Sequence, residues 1–116
     1  MTTIPDQAIA VFMTASSREE AERLADMLVD KSLAACVQIM PEMYSIYRWQ
    51  GKVEQQREFL LIAKTLNSKF AEIESEVRKL HSYETPEIVA LPLTAGSKPY
   101  LEWLSASVAA NEKRAR

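Results

Sequence analysis

The sequence contains one histidine, His81, and one cysteine, Cys36, which are the side chains best suited to metal binding or nucleophilic chemistry. A Cys–His pair would need both side chains within hydrogen-bond reach and open to solvent. Cys36 stands inside an apolar run, which favours a buried, protonated thiol. We therefore interpret Cys36 as a core residue and keep catalysis by the pair as the minor alternative.

His81 has no second nitrogen ligand at helical spacing, and the chain contains no CxxC motif. A histidine that ends a helix gains from the helix dipole, so a structural role is sufficient for it. The alternative is metal contact, completed in an oligomer by other copies of His81 or by Glu84 or Glu87 of a neighbour. The sequence leaves both readings open.

Lys64 is a charge at the end of an otherwise apolar run, and such a lysine extends to an edge or pairs with a carboxylate. The first interpretation is an ion pair with a glutamate such as Glu87. The second places Lys64, Trp49, Tyr83 and Glu87 around a cleft between subunits, where one cation, one carboxylate and two aromatic rings would suit a small polar ligand.

Other classes of function lack their signatures. The chain has no nucleophile–base motif or paired carboxylates, and two glycines cannot build a phosphate-binding loop, so we expect no enzyme and no required cofactor. A net charge of −2 argues against nucleic acid and against a membrane surface as partners. A single cysteine fits a reducing compartment, so we expect a cytoplasmic protein.

The pattern of apolar runs predicts the elements that must position these residues. A length of 116 residues predicts one domain, with a core of about 8–110. Residues 8–13 are apolar throughout and predict a central strand, as do residues 59–65. Residues 33–39 and 87–93 predict edge strands, because Pro41 and Pro92 remove ladder donors. Helices are predicted to begin after caps at Ser16 or Ser17, at Asn67 or Ser68, and at Ser97.

The order β-α-β-β-α-β with a last helix predicts an α+β fold with an antiparallel sheet of the ferredoxin-like, split βαβ type. In that topology the first and third predicted strands are central. The positions of the apolar runs and of the prolines agree with it independently.

The segment 45–64 predicts a hairpin that turns at Gln50-Gly51 and sets Trp49 against Lys52, Tyr47 against Glu54 and Tyr44 near Arg57. At about 3.3 Å per residue, this hairpin is too long to lie over the core of its own chain. We therefore expect Tyr44, Tyr47 and Trp49 to pack against other copies in a closed ring. The alternative is a monomer whose hairpin folds over its own last helix.

The chain resembles the CutA (CutA1) family of divalent-cation tolerance proteins from about residue 8 to residue 104. The resemblance is carried by LAACVQIMP, SIYRWQGKVE with the following FLLIAKT, LHSYETPEIVALPL and YLEWL. It implies a ferredoxin-like fold, a cytoplasmic homotrimer similar to the PII signalling proteins, and a role in tolerance to copper and other divalent metals.

The resemblance also implies where copper would bind. Some members have a cysteine at the end of the first strand and adjacent histidines at the end of the second helix. Here those positions are Met13 and Leu80-His81. The expectation is therefore weak binding of Cu(II) at His81, with Met13 suited to Cu(I). The alternative is a PII-like module that senses a small molecule in a cleft between subunits.

Overall fold

A computed structural model describes residues 6–109. The predicted core limit at residue 110 lies just outside that range. The strands are β1 (Ala8–Ala15), β2 (Cys36–Ile39), β3 (Met43–Trp49), β4 (Lys52–Leu66) and β5 (Ile88–Pro92). The helices are α1 (Arg18–Asp30), α2 (Phe70–Leu80) and α3 (Lys98–Ala109), and a 3₁₀ turn (Asn67–Lys69) precedes α2.

The sheet has the order β2-β4-β1-β5, and β3 pairs with β4 beyond the end of β2. All the pairings are antiparallel. The two long apolar runs form the central strands β1 and β4, while β2 and β5 lie at the edges. The predicted α+β ferredoxin-like topology is confirmed, and the prolines mark the strands that the sequence assigned to the edges.

The main core lies where α1 and α2 pack against the central strands. Leu24 and Leu28 of α1 and Ile73 and Val77 of α2 are fully buried in it. Burying a side chain of this size contributes about 2 kcal/mol. A second, smaller cluster joins Leu104 and Val108 of α3 to Leu66. Leu80, the last residue of α2, is exposed.

Two predicted boundaries were wrong. Leu33 and Ala34 do not begin β2, since the backbone N–H groups of both donate to the carbonyl of Leu28 in the turn after α1. The side chains of Asn67 and Ser68 do not cap α2. Instead the carboxylate of Asp6 accepts hydrogen bonds from the N–H (3.0 Å) and the hydroxyl of Ser68.

The hairpin is formed as predicted, with Trp49 opposite Lys52, Tyr47 opposite Glu54 and Tyr44 opposite Arg57. Gln50 (φ 52°) and Gly51 (φ 82°) both have positive φ, as a type I′ turn requires. We call residues 43–58 the arm. The radius of gyration, 15.3 Å, exceeds the roughly 13 Å of a compact domain of 100 residues, because the arm extends beyond the core.

The arm presents apolar side chains on both of its faces. Tyr47 and Trp49 lie on one face, whereas Tyr44, three residues before Tyr47, lies on the other beside Arg57. Ile46 and Val53 are 67% and 64% exposed. Within residues 6–109, the edge of β5 that faces away from β1 has no partner strand. The part of β4 that lies in the arm also has no partner on the side where β1 pairs with the rest of β4.

Candidate functional site

A cavity of about 560 Å³ lies between the arm, the end of β1 and the loop that follows α2. We call it the arm cavity. Tyr47 and Trp49 contribute from β3, Glu58 from β4, and Tyr83 and Glu87 from the loop and its junction with β5. Three residues of the predicted cleft, Trp49, Tyr83 and Glu87, therefore line the same cavity.

Glu58 and Tyr83 form the polar contact at the base of the arm cavity. The Tyr83 hydroxyl donates to Glu58 Oε2 at 2.8 Å, and Glu58 is only 6% exposed. Burial, followed by the hydrogen bond and the charge of Glu58, raises the pKa of Tyr83. Tyr83 is therefore a neutral donor at physiological pH.

Glu87 also lines the arm cavity without a cationic partner. Burial, and then the charge of Glu58, raises the pKa of the Glu87 carboxyl. None of the ion pairs in the described part of the chain includes Glu58, Glu84 or Glu87. The lining of the arm cavity therefore includes three carboxyl groups that form no ion pair with any described residue.

Lys64 does not lie in the arm cavity and forms no ion pair with Glu87 within one chain, while its place in a cleft between subunits stays a prediction. Lys64 is opposite Ala10, four residues along β1 from Thr14 at the cavity, or about 13 Å at 3.3 Å per residue. Its Nζ donates to Gln38 Oε1 at 2.7 Å and lies 5.9 Å from the centroid of the Tyr100 ring. Lys64 thus belongs to a second surface, which includes Cys36.

Cys36 is half-buried on the edge strand β2, and its Sγ lies 3.7 Å from the Tyr100 hydroxyl. It is opposite Lys64 on β4, whereas His81 contacts the far end of β1. Cys36 and His81 are therefore too far apart to act as a nucleophile–base pair within one chain.

The His81 side chain is fully buried, and both of its ring nitrogens are engaged. Nε2 lies 2.7 Å from the carbonyl oxygen of Thr14, so Nε2–H is the donor. Nδ1 accepts the backbone N–H of Tyr83 at 3.0 Å. A metal ion would have to displace one of these partners, so metal binding at His81 stays a prediction.

Glu20 holds the loop after α2 against the start of α1. Its Oε1 accepts from the N–H and hydroxyl of Ser16 at 2.9 Å, and its Oε2 accepts from the N–H of Ser82 at 2.7 Å. Burial alone would raise the pKa of Glu20, but these hydrogen bonds together lower it to about 2. The anionic form of Glu20 therefore fixes the loop that carries Tyr83.

Met13 is fully buried in the main core and pairs with Leu61 and Ile88. Among the described residues, no three His, Cys, Asp or Glu side chains are arranged to hold a metal ion. A single chain thus offers no ready metal site at the positions that the resemblance implies.

Neither Glu58 nor Glu20 was predicted as a site residue. Glu58 directly precedes the apolar run of β4, and a carboxylate at the edge of such a run is a signal of a buried polar site. Glu20 was not predictable as a site residue, because its contact with Ser82 spans 62 residues.

Comparison with known proteins gives the family. The profile of the "CutA1 divalent ion tolerance protein" family matches residues 9–107. The chain belongs to this family. It is 48% identical over 98 residues to the divalent-cation tolerance protein CutA of Archaeoglobus fulgidus, covering 84% of this chain and 95% of that protein. The CutA protein of Thermus thermophilus is also 48% identical, covering 81% of this chain and 91% of that protein.

Solved structures of CutA1 proteins have the same fold. That of the T. thermophilus protein has a TM-score of 0.82 at 46% identity, covering 84% of this chain and 94% of that one. The Oryza sativa structure has a TM-score of 0.86 at 41% identity, with 89% and 94% covered. A structure from A. fulgidus (TM-score 0.85, 46% identity, 87% and 98% covered) is described as that of a periplasmic protein.

The family is named for tolerance to divalent cations rather than for a reaction. None of the helices within residues 6–109 combines the length and the apolar character needed to cross a membrane.

Proposed function

We propose that this CutA1 family member acts in divalent-cation tolerance as a cytoplasmic homotrimer that binds Cu(II) or another divalent ion weakly and catalyses no reaction. The observation that carries the proposal is the match over residues 9–107 to a family named for this role. The cytoplasmic location rests on the single cysteine, Cys36.

The weakness of metal binding follows from the state of the predicted ligands. His81 already uses both ring nitrogens, and Met13 lies inside the core. Binding at either residue would cost hydrogen bonds or packing that the apo protein already has. We therefore expect any Cu(II) to bind between subunits or at exposed carboxylates, with low affinity.

A growth assay tests the tolerance role. A strain lacking its own gene of this family should grow less well than its parent in elevated copper, and expression of this chain should restore growth. The same comparison with zinc or cobalt would show whether the effect is specific to copper. Equal growth of the deletion strain with and without this chain, at every metal tested, would contradict the role.

Calorimetric titration tests metal binding separately. Titration of Cu(II) into the purified trimer should show binding of low affinity. The His81→Ala variant should bind Cu(II) more weakly only if the imidazole ring is a ligand. Because His81 is buried, the variant must first be shown to be folded by its far-ultraviolet circular dichroism. An unchanged titration curve in a folded variant would exclude His81 as a ligand.

The arm supports the trimer. Its exposed apolar side chains, Ile46 and Val53 among them, are arranged along a two-stranded ribbon with unpaired edges. Exposed edges of this kind pair with other chains unless they are protected. A ring of identical chains would cover the arm and close every interface.

The second candidate function is a PII-like module that senses a small molecule. The arm cavity favours it, because it combines a volume of about 560 Å³ with aromatic walls and convergent carboxylates. A thermal-shift screen with a metabolite panel tests this function, and Trp49→Ala should abolish any shift that the wild-type protein shows.

A further inference from the structure

We propose that Lys64 of one copy forms an ion pair with Glu87 of the next copy, so that a second chain completes the arm cavity. The proposal rests on the trimer proposed above and names the two residues that meet across its interface. It is carried by the arrangement of charge on one face of the sheet and by the apolar surface between the charges.

The arm cavity and Lys64 lie on the same face of the sheet. Val11 and Met13 of β1 are fully buried in the main core against α1 and α2, so the even positions of β1 point to the other face. Of these even positions, Ala10 is opposite Lys64 and Thr14 lines the arm cavity. The cavity and the lysine are therefore at two ends of one surface, which faces away from α1 and α2.

The two ends of this surface carry opposite charges. Glu58, Glu84 and Glu87 line the arm cavity, whereas no lysine or arginine is among its lining residues. At the other end, a cavity of about 490 Å³ is lined by Lys64 and by no Asp or Glu. None of the ion pairs among residues 6–109 includes Lys64 or Glu87.

Lys64 is half-buried, and its contacts within the chain are with neutral groups. Its Nζ donates to Gln38 Oε1 at 2.7 Å and lies 5.9 Å from the centroid of the Tyr100 ring. A carboxylate is a stronger acceptor for an ammonium group than an amide oxygen is. Glu87 cannot be that acceptor in the same chain, because Lys64 lies about 13 Å along the sheet from the arm cavity.

An apolar surface separates the two charged ends. Phe12, Leu60 and Ile62 of the central strands are half-buried and belong to neither core cluster. Val89 is opposite Phe12 on β5, and both Val89 and Leu91 are 51% exposed. An exposed apolar surface with polar residues at its rim is typical of a contact between chains.

A closed ring would bring the opposite ends together. The lysine end of each copy would meet the carboxylate end of the next, so that every copy makes both contacts. Trp49 lines the arm cavity and Trp103 lines the cavity beside Lys64, and the two side chains are 44% and 46% exposed. Exposed tryptophans beside complementary charges are typical of the centre of an interface.

Charge reversal tests the pair. Light scattering should give the mass of three chains for the wild type, and the urea concentration at which the mass falls to one chain measures the strength of the interface. Lys64→Glu and Glu87→Lys should each lower that concentration by at least about 1 M, because like charges would then oppose each other across the interface. The double variant restores opposite charges and should recover most of the loss.

An equimolar mixture of the two single variants tests whether the pair joins different chains. When the variants are refolded together from urea, most rings contain both of them. A copy of one variant then meets a copy of the other with opposite charges at positions 64 and 87. The mixture should therefore resist urea better than either variant alone, whereas a pair within one chain would gain nothing from mixing.

Lys69→Glu is the matched control, because Lys69 is another half-buried lysine outside the ion pairs of residues 6–109, in the 3₁₀ turn before α2. It should leave the urea concentration unchanged within about 0.3 M, since the position lies off the proposed interface. Circular dichroism checks that each variant is folded. Lys64→Gln and Glu87→Gln, which should give smaller losses, replace any reversal that does not fold.

Three results would overturn the pair. They are an equal loss in Lys69→Glu, no loss in Lys64→Glu or Glu87→Lys, and no recovery in either the double variant or the mixture. A wild-type mass of one chain would overturn the trimer and the pair together, whereas a wild-type trimer with any of these three results would overturn the pair alone.

Discussion

At the level of single residues, the Glu20 carboxylate joins the start of α1 to the loop that bears Tyr83. Its carboxylate accepts hydrogen bonds from Ser16 and Ser82 while 3% of it is exposed. Glu20→Gln keeps the shape but removes the charge and leaves an amide where an acceptor is needed. We expect a loss of about 3 kcal/mol of unfolding free energy in urea, since one pKa unit is worth about 1.4 kcal/mol. Glu19→Gln, at the exposed neighbouring position, should cost almost nothing.

The pH dependence of that loss has a definite sign. The pKa of Glu20 is about 2 in the folded protein, below the ordinary value of 4.5, so the unfolded chain binds the proton more readily. The contribution of Glu20 is therefore complete above pH 4.5 and is lost as the pH falls towards 2. The difference between wild type and Glu20→Gln should shrink over the same interval. A constant difference from pH 6 to pH 2.5 would contradict this account.

Thr65 is a second buried polar residue whose partner is distant in sequence. Its hydroxyl donates to the carbonyl of Leu33 at 2.6 Å, and Thr65 is fully buried. Thr65→Val should cost about 1–2 kcal/mol in urea unfolding, because the carbonyl loses its donor while the volume is kept. Thr65→Ser retains the hydroxyl and should recover most of that hydrogen-bond energy. A stability of Thr65→Val equal to that of the wild type would show that the hydrogen bond contributes little.

At the level of elements, the residue types in the turn of the arm determine its backbone conformation. Gly51 has φ 82°, and an added Cβ would meet no atom within 4 Å. Gly51→Ala should therefore cost about 1 kcal/mol through backbone strain alone. Gln50→Asn should stabilise by a few tenths of a kcal/mol, because Asn-Gly is the preferred pair for a type I′ turn. Urea unfolding of the two variants should give changes of opposite sign in the free energy of unfolding.

The elements also show what the sequence could and could not predict. The register of the arm was predictable because a two-residue turn with Gly51 leaves only one pairing for the strands. The central strands were predictable because their residues are apolar on both faces. The contact of Asp6 with Ser68 in the turn before α2 was not, since it joins residues 62 apart. The pairing of Lys64 with Gln38 was missed for the same reason: the alignment of β2 with β4 brings them together, and no local pattern encodes that alignment.

The candidate site was predictable only in part. Trp49, Tyr83 and Glu87 were expected to converge, and they line one cavity. Glu58 was not foreseen, because its pairing with Tyr83 depends on how the loop after α2 returns to the arm. The engagement of both His81 nitrogens was equally hidden, since Thr14 lies 67 residues away in sequence.

At the level of the whole molecule, the exposed apolar residues of the arm predict an oligomer. We expect light scattering to give the mass of three chains. Ile46→Lys combined with Val53→Lys should lower that mass, because lysines at two strongly exposed apolar positions would oppose packing against a neighbour. Val29→Lys, at an exposed apolar position of α1, is the matched control and should leave the trimer intact. A mass of one chain for the wild type would end the oligomer proposal.

The chain has two tryptophans, and neither is in a core. Trp49 is 44% exposed on the arm and Trp103 is 46% exposed on α3. The intrinsic fluorescence of this protein should therefore report changes in the solvent exposure of its surface rather than unfolding of its core. Dilution that separates subunits should red-shift the emission before any helix is lost, and the Trp103→Phe variant would isolate that signal in the arm.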